Sequence, residues 1–262
     1  VAWNVVTASL PAGSTSYTST GLAASTSYRY RVKATNAAGG SGYSNVVTVT
    51  TPPGAPAALF AEDFTGVNGA AWAGSRWIAN TGTTASMDIQ SNAGRMRFQN
   101  VANARALAVS QMTKQADTEV LMSYRFTSTA AAARGYLYLA SRGSGDWVSG
   151  YPGTSYFLQL TSDLNTAQIW KSQAGTTTSL RAPTGIATLT TAKQWLRYRI
   201  QGNTISAKIW TDGTTEPTDW EITATDTSIT GTGLLQMKWQ RGGSATTAND
   251  VTFDDITITN VP

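Results

Sequence analysis

The chain has 262 residues, 41% of them hydrophobic and 13% charged, with a formal net charge of +4, no cysteine and no histidine. Without cysteine there is no disulfide framework and no thiolate metal site; without histidine the commonest general base, the commonest transition-metal ligand and a neutral-pH switch are missing together. The positive excess is spread without Lys/Arg runs, which argues against a nucleic-acid partner, and no apolar run approaches the ~18 residues of a membrane span, which argues against membrane insertion.

In residues 1–51, Tyr28, Tyr30, Val32 and Ala34 alternate with Arg29, Arg31 and Lys33, the pattern of a strand with one buried face. The run TSYTSTGLAASTSYRYRVKATNAAGGSGYSNVVTVTT resembles the second half of a fibronectin type III module. A strand ends near Tyr17, Gly21-Leu22 follows, Tyr28 opens a long strand, and a Gly/Ser turn leads to a last strand over 46–50. The resemblance implies that Tyr28 is a corner tyrosine bonding back to the backbone, and that Trp3 and Tyr28 are core residues. It covers about half of a ~100-residue module. The expectation is therefore a partial fibronectin type III domain acting as a spacer in a longer chain, with the missing strands and any export signal upstream. Residues 52–58, including Pro52, Pro53 and Pro56, read as a semi-rigid linker.

Residues 59–262 are β-patterned throughout. Period-2 runs place strands over 59–64, 86–90, 95–99, 105–110, 118–126, 134–142, 155–160, 165–171, 179–181, 194–201, 204–210, 220–225, 233–239 and 251–259. Only the alanine-rich 128–133 admits a helical turn. So many strands in one domain predict a two-sheet jelly roll, and the fold class is all-β.

The segment QWLRYRIQGNTISAKIWTDGTTEPTDW, residues 194–220, contains the clearest hairpin. Gly202-Asn203 suits a two-residue primed turn, which sets Gln201 opposite Thr204, Arg199 opposite Ser206, Arg197 opposite Lys208 and Trp195 opposite Trp210. One face is aliphatic and needs a second layer. The other carries Trp195, Trp210 and three cations, and the like-charge pair Arg197–Lys208 is unfavourable unless something negative lies nearby.

Glu62-Asp63-Phe64 with Gly69 and Trp72, the central QWLRYRI, the IWTDGTTEPTDW segment and the closing FDDITI are similar to concanavalin-like (laminin-G-like) jelly rolls. The resemblance implies glycan recognition in secreted proteins of Gram-positive bacteria or in minor tail proteins of their phages. It also implies a structural Ca2+ near the chain ends, for which Glu62, Asp63, Asp254 and Asp255 are the candidate ligands. In related domains Trp210, Glu216-Pro217 and Trp220 occur together, which reads as a clasp with tryptophan stacked on proline.

Catalysis is not expected. The Glu-x-Asp-x-x-Glu run of glycosidases on this fold is absent, hydrolytic triads lack their histidine, and Asp254 and Asp255, adjacent on a strand, would point to opposite faces. The best ligand site is the loop GSGDWVSGYPGTS over 143–155. There Trp147 and Tyr151 stand without periodicity to bury them, with Asp146, Arg142, Arg134 and Tyr156 to meet hydroxyls. Tyr136 and Tyr138 face away from Leu137 and Leu139; if they share a sheet face with Trp195, Arg197, Arg199, Lys208 and Trp210, the result is a basic aromatic trough suited to an acidic glycan.

The expected function is a non-catalytic recognition module for cell-surface or polymeric glycans, extracellular, in a phage minor tail protein or secreted adhesin. Alternatives are the ancillary module of a secreted glycoside hydrolase, or a purely structural decoration domain. Homo-oligomer formation stays open.

Overall fold

The computed structural model describes every residue except 1, 2, 5, 7–9, 53, 55, 56, 82 and 262. The chain forms two compact units, Val1–Ala55 and Pro56–Pro262. Pro53, Ala55 and Pro56 of the expected linker lie outside the described residues.

The first unit contains β1 (Ser27–Tyr30), β2 (Thr35–Asn36), β3 (Gly39–Gly40) and β4 (Val47–Thr50). β1 pairs antiparallel with β4, placing Tyr28 opposite Val49. The Ala23 amide donates to the Tyr28 hydroxyl at 2.8 Å, the expected corner bond. The strand stops at Tyr30, earlier than its alternation suggests. Beyond it the amides of Val32 and Ala34 donate to the hydroxyls of Ser44 and Ser41, whose own amides donate back to the Val32 and Ala34 carbonyls, so serine hydroxyls stand in for one set of ladder carbonyls. Trp3 is not a core residue: it is 37% exposed, with the Arg31 guanidinium 4.0 Å from its ring centroid. Val32, Val47 and Val49 are also exposed.

The second unit opens with β5 (Ala58–Glu62), β6 (Trp77–Asn80), β7 (Ala85–Gln90), β8 (Ala93–Phe98), β9 (Arg105–Ser110) and β10 (Thr118–Phe126). Next come β11 (Gly135–Gly143), the short β12 (Trp147–Val148) and β13 (Tyr151–Pro152), β14 (Thr154–Thr161), β15 (Thr166–Gln173) and β16 (Thr176–Gly185). The chain closes with β17 (Gln194–Gln201), β18 (Thr204–Thr211), β19 (Ile222–Thr225), β20 (Leu234–Arg241) and β21 (Asn249–Asn260). The alanine-rich stretch does hold a helical turn, a 3-10 helix at Ala131–Ala133.

These strands form a sandwich. An eight-stranded sheet has the order β19-β18-β17-β10-β21-β8-β7, with β5 also on β21, and a seven-stranded sheet has the order β16-β15-β14-β11-β20-β9-β6. The aliphatic face of the β17–β18 hairpin, Leu196, Tyr198, Ile200, Ile205, Ala207 and Ile209, is buried in one core with Leu137, Leu139, Leu158, Leu160, Met237 and Trp239 of the other sheet. Alternation along each strand therefore leaves two outer faces with different chemistry.

The outer face of the eight-stranded sheet is electrostatically closed. The hairpin has the expected register, including Arg197 opposite Lys208 and Trp195 opposite Trp210. Glu119 on β10 and Glu216 supply the missing negative charge: Arg197 pairs with both, Arg199 with Glu119, and Lys208 with Glu216. Trp195 and Trp210 stack at 6.4 Å. Trp220 lies over the Arg199 and Lys208 cations, each 5.0 Å from its ring, and Lys208 Nζ donates to Pro217 O, so cations tie the Trp220 ring and the Glu216-Pro217 segment to the hairpin. Tyr136 and Tyr138 are on β11 of the other sheet, and the expected shared trough does not form.

Arg142 departs from its expected place as well. Simple alternation would put it outward with Tyr136 and Tyr138, but the β11–β20 register shifts between Ala140 and Gly143 and Arg142 adopts φ +52°. This bulge turns the side chain inward. Its guanidinium donates to the carbonyls of Ala116, Ile229 and Gly202 and pairs with Asp117 at 2.7 Å. Arg142→Ala leaves these acceptors unpaired and is expected to destabilise the second unit by about 3–5 kcal/mol. A urea-melt midpoint equal to wild type would contradict this role.

Candidate functional site

The outer face of the seven-stranded sheet is built in rows across the strands. Arg105, Gln240, Tyr136, Thr161 and Thr166 form one row through successive Cα pairings. Beside it run Leu107, Lys238, Tyr138, Gln159 and Gln168, then Val109, Gln236, Ala140, Phe157 and Trp170.

The segment between β11 and β14 folds back over part of this face. β12 and β13 pair Trp147 with Pro152 and Val148 with Tyr151. Ser149 and Gly150 at the tip both have positive φ, +52° and +80°, as a primed two-residue turn requires. The hairpin is fastened across the sheet. Lys238 Nζ donates to Gly150 O at 2.9 Å, Gln236 Nε2 to Asp146 O at 3.0 Å, Ser172 Oγ to Pro152 O at 2.5 Å, and Gly175 N to Gly153 O at 3.0 Å.

Tyr151, not Trp147, is the residue that plugs the sheet. Its ring meets Tyr138 at 6.2 Å and Phe157 at 6.3 Å, and with Tyr138 it encloses the Lys238 ammonium, 4.3 and 3.7 Å from the two centroids. Lys238 is fully buried, and burial drives its ammonium well below the ordinary lysine range, with Arg105 adding to the shift. Trp147 is left half-buried and Asp146 exposed.

Outside the hairpin's footprint an open strip remains. Gln240, Tyr136, Gln159, Gln168 and Trp170 are each partly exposed. Trp170 is stacked against Phe157 at 6.2 Å and 10°, and its indole N–H is buried without a partner among the described residues. At one end Arg134 makes a bidentate pair with Asp163, with N–O distances of 2.7–2.9 Å. None of the seven strands carries an Asp or Glu, whereas the other sheet's strands carry Glu62, Asp88, Glu119, Asp250, Asp254 and Asp255. A rigid indole can stack on the C–H face of a sugar ring while the neighbouring amides and tyrosine hydroxyl exchange hydrogen bonds with its hydroxyls; of those amides, Gln168 already donates to Ser179 Oγ at 3.0 Å.

Of the ligand residues expected from sequence, this face brings together Tyr136, Tyr138, Tyr151, Trp147, Asp146 and Arg134. Tyr138 is buried beneath the hairpin. Arg142 and Tyr156 lie elsewhere. Tyr156 is fully buried, receives the Ile229 amide at 2.9 Å and donates to Asp226 at 2.7 Å, and burial raises its pKa. Its alternation with Leu158 and Leu160 already assigned it to the core side. Gln159, Gln168, Trp170 and Gln240 were missed. Their signal was present in the same alternation, opposite Leu158, Ile169 and Trp239.

The four carboxylates near the chain ends do not fit a calcium cage. β5 does pair with β21, Glu62 opposite Ile256. Glu62 is already taken by Arg76 Nε at 2.9 Å, Trp77 Nε1 at 3.1 Å and the Phe64 amide at 3.1 Å. Asp63 accepts from the Thr65 amide, whose hydrogen bond lowers its pKa, and Asp255 pairs with Lys193 at 2.9 Å. Among the described residues no group of three or more Asp, Glu, His or Cys is placed to hold a metal ion. Asp254 and Asp255 also violate the expected alternation. Asp255 sits at φ +53° where the β10–β21 register shifts, so both lie between the buried Phe253 and Ile256 and neither enters the core.

Comparison with known proteins agrees with the division into unlike units. Residues 1–50 match the fibronectin type III domain family. A 42-residue stretch is 62% identical to an alpha-amylase from Niallia circulans, covering 16% of this chain and 3% of the amylase. Among solved structures, the fold is similar to a carbohydrate-binding module from Bacillus subtilis (12% identity, TM-score 0.50, covering 71% of this chain and 96% of that one). A beta-glucanase from Bacillus licheniformis (11%, 0.53, 78% and 99%) is also similar. So is the exoplasmic/lumenal domain of VIP36 in its Ca2+/Man3GlcNAc-bound form (11%, 0.53, 73% and 86%). At these identities the likeness shows the fold alone, an all-β jelly-roll sandwich, and the fibronectin type III match is confined to residues 1–50.

Proposed function

We propose that the second unit is a non-catalytic carbohydrate-recognition module of a modular extracellular protein, and that its ligand lies on the open strip of the seven-stranded sheet. The observation that carries this reading is the strip's composition: partly exposed aromatic rings and glutamine amides on a sheet whose strands contain no carboxylate. Glycoside hydrolysis needs an acid and a second carboxylate about 5–9 Å apart across the sugar. The face offers places to hold a glycan and no pair to cleave it. The amylase-like stretch favours a secreted carbohydrate-active protein as owner over a phage tail protein.

The test is retention of the 262-residue protein on insoluble polysaccharides and bacterial cell walls, with reducing ends assayed in parallel. Retention without new reducing ends is expected. Release of reducing ends, or no retention on any matrix, would overturn the reading. The proposed module works without calcium, so its melting midpoint should be the same with added Ca2+ as with a chelator. A midpoint that rises with calcium would restore the carboxylates Glu62, Asp63, Asp254 and Asp255 as a cation site.

A further inference from the structure

The two sheets differ in how the cations on their strands are neutralised. On the strands of the eight-stranded sheet, Arg95, Arg97, Arg197, Arg199 and Lys208 are all ion-paired, and only Arg125 bonds to a carbonyl instead. On the seven-stranded sheet the strands carry Arg105, Arg142, Lys171, Arg181, Lys238 and Arg241. Only Arg142 and Lys171 have carboxylate partners, Asp117 and Asp226, both supplied by loops. Of the other four, Arg181 lies on the far edge strand β16 and bonds to Thr184, and Arg105, Lys238 and Arg241 lie at the β9–β20 end. Arg105 is paired in register with Gln240, Lys238 is two residues along the same strand, and Arg241 bonds to Asn100 and backbone carbonyls. Asp146, the one acid of the covering hairpin, makes no ion pair with any of them among the described residues.

We propose that the glycan bound by this face is anionic and that Arg105 seats its acid group, a carboxylate, sulfate or phosphate. Arg105 is partly exposed at the end of the row that continues through Gln240 and Tyr136, and its guanidinium lies against Gly150 at the hairpin tip. Among the described residues its one acceptor is the Asn103 carbonyl at 3.5 Å, at the limit of a hydrogen bond, which leaves most of its donors for a ligand. Lys238, buried behind it, is driven toward the neutral amine by that burial and by Arg105 itself, so Arg105 is the cation this end of the row presents to a ligand. A ligand anion supplies the counter-charge that Arg105 lacks, whereas a neutral sugar does not.

This inference rests on the reading of the strip as the glycan surface, and the test separates the two. The 262-residue protein is titrated with polygalacturonate and its fully methyl-esterified form, and with dextran sulfate and dextran. Arg105→Gln, Arg125→Gln and Trp170→Ala are run alongside, Arg125→Gln removing the same charge from the other sheet. Expected is binding of an acidic polymer at least about tenfold tighter than its neutral partner, a preference lost in Arg105→Gln and kept in Arg125→Gln. Preference for polygalacturonate alone assigns a carboxylate, and preference for dextran sulfate alone a sulfate-like anion. Equal binding of acidic and neutral forms, equal losses in the two arginine variants, or no binding of either acidic polymer overturns the proposal. Neutral binding that disappears in Trp170→Ala while acidity makes no difference would sink this inference and leave the proposed surface standing. Binding indifferent to Trp170→Ala would remove the surface itself.

Discussion

Trp170→Ala is expected to weaken glycan binding by about 2 kcal/mol, roughly 30-fold in Kd, while leaving the fold intact. The indole is the largest ring on the open strip, and its cross-strand neighbour Phe157, stacked against it, fixes its orientation before any ligand arrives. A pre-set ring pays little ordering entropy on binding, which is why one aromatic can dominate a small interface. Truncation removes the stacking face but not the neighbouring amides of Gln159 and Gln168, so residual weak binding should persist. Isothermal titration with a glycan retained by the wild-type protein gives the comparison. An unchanged Kd would move the site away from β15.

Trp239→Ala is expected to act through stability, costing about 3–5 kcal/mol. Its ring is fully buried between Phe98 and Phe126, with centroids 5.2 and 5.3 Å away, and its indole nitrogen donates to Asn249 O at 3.1 Å. Gly135 exists where it does because an added Cβ would fall 2.0 Å from this ring. Since small domains hold only about 5–15 kcal/mol in total, the substitution should remove a large share of it. The same strand presents Lys238 and Gln240 outward, so loosening Trp239 also disorders the binding strip. Chemical denaturation should show the lowered midpoint, and a loss below about 1 kcal/mol would contradict the packing account.

How much of this was legible in the sequence depended on whether local chemistry fixed the register. The β17–β18 hairpin was readable pair by pair because Gly202-Asn203 sets its register, and the need for a negative charge near Arg197 and Lys208 followed from that register alone. The identity of that charge did not, because Glu119 arrives from β10, about 80 positions away in the chain. Arg142 and the Asp254–Asp255 pair were misread for one shared reason. Each lies at a bulge with a non-glycine residue at positive φ, and a one-residue slip exchanges the faces of everything beyond it. Alternation says which residues share a face, but not which sheet a strand joins; that is why Tyr136 and the hairpin cations seemed to belong together. The 147–152 hairpin escaped notice because its strands are two residues long and its turn is Ser-Gly rather than Asn-Gly.

The central claim is that the outer face of the seven-stranded sheet, and not the tryptophan-rich hairpin, meets the ligand. Hydroxyl-radical footprinting of the 262-residue protein, with and without a bound polysaccharide, reads this at individual side chains. Protection of Trp170, Tyr136 and Trp147, with Trp195 and Trp220 oxidised as in the free protein, is the predicted result. Protection of Trp195 and Trp220 with Trp170 unchanged would contradict it.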